Sequence, residues 1–83
     1  MKNRYLCLLR GINVSSLKII KMDDLRNLLT KNGLEEVTTY IQSGNIIFST
    51  EIKTKEAISI FIEKLLLKEY GWGIPSILLE QRT

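Results

Sequence analysis

Tyr5-Leu6-Cys7-Leu8-Leu9 is an apolar run with no polar break. A strand exposed on one side alternates apolar with polar, so an unbroken run predicts a central strand covered on both faces. Gly11 ends it. From Gly11 to Lys21 the chain keeps no clean period, and ordered connections of that length are more often functional than short ones. Met22, Leu25, Leu28 and Leu29 then recur at helical spacing. Asp23 and Asp24 sit in the first turn, where the positive end of the helix dipole favours acids. Gly33 supplies the left-handed residue that closes a helix placed at about 22–32.

Val37, Thr39 and Ile41 alternate with Thr38, Tyr40 and Gln42, a period of two that predicts a strand. Ser43-Gly44-Asn45 is a turn signal, and Ile46-Ile47-Phe48 is the returning strand of a hairpin. Thr54 is an N-cap for a second helix with Glu56 in its first turn. Ile58, Phe61, Ile62 and Leu65 share its inner face, with Leu66 at the border, while Ile60 and Leu67 lie on the opposite side. Gly71 and Gly73 end it around Trp72. Pro75 opens the last apolar run, Ile77-Leu78-Leu79, as proline does at a strand start or on an edge.

The order β-α-β-β-α-β, with two right-handed crossovers sharing a hairpin, predicts an α+β, ferredoxin-like sandwich over residues 1–83 as one domain. Its four-stranded antiparallel sheet takes the order 4-1-3-2, with both helices on one face. That topology gathers the loop after the first strand and the hairpin turn at one end. Arg10, Gly11, Asn13, Gln42, Ser43, Gly44 and Asn45 are therefore the candidate site for a small polar or anionic ligand, with Arg10 as its charge anchor. A purely structural role competes: Gly44-Asn45 makes the turn, Arg10 caps strand-end carbonyls, and the asparagines satisfy loop backbone groups. The open sheet face, through Tyr40 and either Ile47 or Phe48, and the outer side of the second helix, through Ile60 and Leu67, form a candidate partner surface.

Composition narrows the chemistry. The 83 residues include one cysteine, Cys7, and no histidine. That removes Ser-His-Asp and Cys-His catalysis and histidine-based zinc sites. No nucleophile stands beside a base, and Gly11 is isolated rather than part of a phosphate-binding loop. No catalytic residue, metal or cofactor is assigned, and catalysis is not expected of this chain alone. Net charge is +3, but the chain is uneven: Lys2, Arg4, Arg10, Lys18 and Lys21 all precede the first acid, Asp23. Nucleic acid is the alternative partner, read by base stacking on the open sheet face; Tyr5 and Phe48 are the only aromatics on the central strands, and Phe48 reads better as core. No stretch approaches the roughly 20 apolar residues of a membrane span, and the N-terminus lacks a signal-peptide core, so a cytoplasmic location is expected with no membrane partner.

Two segments carry a resemblance: Tyr5 to Val14, reading YLCLLRGINV, and Thr39 to Ser49, reading TYIQSGNIIFS. Between them lie Met22 to Leu29 and Gly33-Leu34. The chain resembles the N-terminal part of an uncharacterised, mainly bacterial family whose usual pattern is "LLRGINVGG…M..LR.L….G…V.TYIQSGNVVF". Ser15 and Ser16 stand where that pattern has two glycines. The resemblance implies the ferredoxin-like fold and no established activity. It also implies a longer protein with a second half after the fourth strand, so a second half or self-association is the expected cover for the apolar surfaces. The expected function is a non-catalytic binding or assembly module.

Overall fold

The computed structural model describes residues 2–12, 19–40 and 44–80. Strand β1 spans Asn3–Leu9, helix α1 Met22–Lys31, β2 Glu35–Tyr40, β3 Asn45–Thr50, helix α2 Lys55–Tyr70 and β4 Ser76–Glu80. The four strands form one sheet in the order β2-β3-β1-β4, every neighbour antiparallel, which is the expected order read from the other edge. Both helices cover one face.

Local chemistry accounts for each helix. In α1, Leu25 and Leu29 are fully buried, Met22 and Leu28 pack at their border, and Arg26 reaches Asp23 one turn back at 3.0 Å. Asn32 bonds the Leu28 carbonyl through Nδ2, and Gly33 at φ +104° lets the chain turn away. In α2, Thr54 Oγ1 accepts from Ala57 N at 3.1 Å, the expected N-cap, and Gly71 closes the helix at φ +82°. The inner face of α2 is rotated from the expected one. Ile58, Ile62 and Leu66 are its fully buried residues, while Phe61 and Leu65 take the border. A 58/62/66 ladder follows the i, i+4 row, and α2 packs against β4.

The core is a single layer between helices and sheet. Tyr5, Cys7 and Leu9 of β1, Ile46 and Phe48 of β3 and Leu78 of β4 meet Leu25, Leu29, Ile58, Ile62 and Leu66. Ile12 and Ile20, at the two ends of the long connection, are buried in the same cluster. Each large aliphatic side chain so buried contributes about 1.5–3 kcal/mol. Cys7 is fully buried and burial, with a smaller push from Glu63, raises its thiol to about 12. It is an inert core residue.

One expectation fails in an informative way. The unbroken run in β1 predicts cover on both faces, yet only Tyr5, Cys7 and Leu9 are buried. Leu6 and Leu8 stay half-exposed on the face the helices leave open.

Candidate functional site

The expected ligand end is built as follows. Leu9 N donates to Gly44 O at 2.9 Å, and Arg10 N donates to Pro75 O at 3.0 Å. These two bonds set Arg10 and Gly11 beside the Gly44–Asn45 segment and the start of β4. Gly44 has φ +82°, and a Cβ built on it would stand 2.7 Å from Leu9 O and 3.2 Å from Ile12 Cδ1. Its glycine is therefore demanded by packing. Gly11 also has a positive φ, but nothing lies within 4 Å of where its Cβ would be. Arg10 is exposed, and Asn45 is half-buried opposite Leu8 and Tyr40 on the open face. Asn13, Gln42 and Ser43 lie outside the described residues.

The open face itself is more coherent than that end. Strand register lines its side chains into two rows. One runs Thr38, Ile47, Leu6, Leu79, and the other Tyr40, Asn45, Leu8, Ile77. Leu6, Leu8 and Ile47 are half-buried, and Tyr40, Ile77 and Leu79 are 46%, 40% and 48% exposed. Five aliphatic side chains and one tyrosine thus form a continuous surface across all four strands. Of the candidates Ile47 and Phe48, Ile47 faces outward and Phe48 is fully buried. Leu6, Leu8, Ile77 and Leu79 extend the surface beyond Tyr40 and Ile47; the unbroken run in β1 was the signal that both of its faces are apolar.

At the far end of the same face the surface turns polar. Arg4 Nη1 donates to Ser49 Oγ at 3.3 Å, and Ser49 Oγ donates to Glu36 Oε1 at 2.8 Å. Glu36 also lies 3.7 Å from Arg4. Lys2 Nζ meets Glu35 Oε1 at 2.7 Å, and that hydrogen bond raises the lysine above its ordinary value. A β-bulge makes both pairs possible: the β2–β3 register shifts between Glu35 and Thr38, and Glu36 takes φ +51°. Two of the five cations that precede Asp23 are thus matched by acids across the sheet.

Both aromatics of the central strands lie under the helices. Tyr5 and Phe48 are 2% and 0% exposed, with ring centroids 6.3 Å apart. Neither offers a face on which a base stacks, and Tyr40, on the edge strand β2, is the aromatic that the described strands present outward.

A third cluster, invisible in the sequence, locks β4 to α2. Glu63 Oε2 accepts from Ser76 N at 3.0 Å, Ser76 Oγ at 2.9 Å and Ser59 Oγ at 3.0 Å. Partial burial, the largest single influence, pushes the Glu63 carboxyl upward. The bonds from the Ser76 hydroxyl, the Ser76 backbone and Ser59 outweigh it together and hold Glu63 below its ordinary value. Among the described residues no three His, Cys, Asp or Glu side chains gather to hold a metal ion, and no helix is long and apolar enough to cross a membrane.

Comparison with known proteins adds a family and a solved fold. The family model described as "Protein of unknown function (DUF1697)" matches residues 1–83. A solved structure of a conserved bacterial protein from Streptococcus pneumoniae is similar at 38% identity and a TM-score of 0.84. The match covers 96% of this chain and 44% of that one, so the chain spans less than half the length of this relative. No curated protein matches.

Proposed function

The chain belongs to the family of proteins of unknown function whose model spans it, and from its geometry we propose that it is a non-catalytic docking module whose open sheet face seats a second protein layer. The observation that carries this reading is β1. Its sequence is that of a strand buried on both sides, and the domain covers one. Leu6 and Leu8 continue into Ile47, Ile77 and Leu79 without a charged residue between them. A contiguous apolar surface of this kind marks an interface rather than scattered exposure. The layer we assign to it is polypeptide equivalent to the part of the Streptococcus pneumoniae chain that this chain does not match. That part is the larger share, since the match takes up 44% of that chain.

The test is an amide NMR titration of the labelled chain with the separately produced remainder of the Streptococcus pneumoniae protein. Saturable shifts at Leu6, Leu8, Ile47, Ile77 and Leu79 are expected. No binding, or shifts confined to the helices, overturns the assignment.

A second reading keeps the polar end as a subsite for a small anion. What favours it is exposed Arg10, whose backbone is set next to Gly11 and near the Gly44–Asn45 segment by the Leu9–Gly44 and Arg10–Pro75 bonds. In this reading Arg10→Ala abolishes binding of inorganic phosphate or a nucleotide while the fold survives; equal binding by the variant removes it.

A further inference from the structure

The two edges of the sheet are not alike. At β2 the bulge at Glu36 and the Lys2–Glu35 ion pair break the ladder and charge its flank, which blunts pairing with another strand. Strand β4 has no bulge among its described residues, although Pro75 stands at its start and Glu80 at its end. Its ladder to β1 is regular from Leu9↔Ser76 to Tyr5↔Glu80. Of the six large apolar side chains most exposed among the described residues, four flank this edge: Ile77 and Leu79 on β4, and Ile60 and Leu67 on α2.

We propose that β4 pairs with β4 of a second copy of this chain, about a twofold axis through Leu78. This rests on the edge and on α2, and stands independently of what covers the open face. The backbone directions support it. Because Arg10 N donates to Pro75 O, the antiparallel ladder aims the backbone groups of Ile77 and Leu79 at β1 and those of Ser76, Leu78 and Glu80 away from it. Ser76 N accordingly turns to Glu63, 3.0 Å away. Leu78 is left as the mid-strand residue whose N–H and C=O point outward. Two identical edge strands related by a twofold axis normal to the sheet run antiparallel, so Leu78 exchanges both bonds with its own equivalent.

The helix layer is self-complementary about the same axis. Ile60 and Leu78 line one depression of about 430 Å³ along the α2–β4 seam. Ile60 also borders a second, of about 530 Å³, with Leu67, Lys64 and Pro75. Glu56 and Lys64 stand four residues on either side of Ile60, on its face of the helix, and both are exposed. Setting Ile60 against Ile60 in antiparallel helices sets Glu56 against the second copy's Lys64, and Lys64 against its Glu56. An apolar contact flanked by two opposite-charge pairs is what an isologous interface requires.

Sedimentation velocity of the 83-residue chain over rising concentration reads this directly. A monomer–dimer equilibrium is expected. Glu56→Lys alone and Lys64→Glu alone each raise the dimer dissociation constant on the order of tenfold or more, and the double swap restores it, because the exchanged charges meet again. Circular dichroism confirms that the surface variants remain folded. A chain that stays monomeric at millimolar concentration overturns the proposal. So does a dimer indifferent to both single variants, or one that the double swap fails to rescue.

Discussion

Two glycines with nearly the same backbone angle show how context decides the cost of a residue. Gly44 and Gly11 both have positive φ, but only Gly44 meets Leu9 O within 2.7 Å of a built Cβ. Gly11→Ala is therefore expected to cost about 1–2 kcal/mol, the left-handed penalty alone. Gly44→Ala adds a backbone clash that no side chain can yield to, and is expected to cost more than Gly11→Ala in urea unfolding followed by circular dichroism; equal costs would show that the hairpin shifts freely. Glu63 supplies a second test at this scale. Its folded carboxyl titrates below its ordinary value, so the unfolded chain binds the proton more readily. The stability it contributes is present above the unfolded value of about 4.3 and lost as pH falls through the lower folded value. Glu63→Gln is expected to flatten that acid limb in unfolding curves. An unchanged pH profile would mean that the Ser59 and Ser76 bonds do not discriminate the charged form. The Gly44 turn was legible in the sequence because a Ser-Gly-Asn triplet is local chemistry. The Glu63 clamp was not, since it joins residues 13 apart through the packing of a helix on a strand.

At the level of elements, periodicity and short apolar runs together predicted all six in their order, and the helix ends followed from Thr54, Gly33 and Gly71. What periodicity missed has a physical reason. The inner face of α2 is centred on the 58/62/66 row rather than on Phe61 and Leu65; the apolar residues of α2 are not confined to one stripe, so the sequence alone does not show which one meets the sheet. The bulge at Glu36 was equally hidden: Glu35-Glu36 reads as a polar strand start, and the register shift shows only in how β2 pairs with β3. The run in β1 misled in the opposite sense, announcing a cover that this domain does not supply. The two faces of β1 and its neighbours should therefore respond differently to truncation. Leu29→Ala, in the helix–sheet layer, is expected to cost about 2–5 kcal/mol. Leu8→Thr, on the open face, is expected to cost less than about 1 kcal/mol, in the range of a cross-strand pair. Thermal unfolding of the two variants checks this, and a Leu8→Thr loss as large as that of Leu29→Ala would show that the open face is part of the core.

For the molecule as a whole, the asymmetry between its two sheet faces becomes a statement about linkage. A layer that binds the folded domain and not the unfolded chain raises its apparent stability by mass action, about 2.7 kcal/mol when the partner is at 100 times its dissociation constant. The open face contributes little to the isolated domain, so charges placed there separate binding from folding. Ile77→Lys combined with Leu79→Lys is expected to leave the melting temperature of the chain alone nearly unchanged, because both side chains are already 40% or more exposed. The same double variant is expected to abolish the rise in melting temperature that the wild-type chain shows when the remainder of the Streptococcus pneumoniae protein is added. Tyr5→Leu, beneath the helices, should behave in reverse, lowering the melting temperature of the free chain while leaving the increment on binding intact. Loss of the increment in Tyr5→Leu, or its survival in the lysine variant, would move the docking surface off the sheet and onto the helix layer.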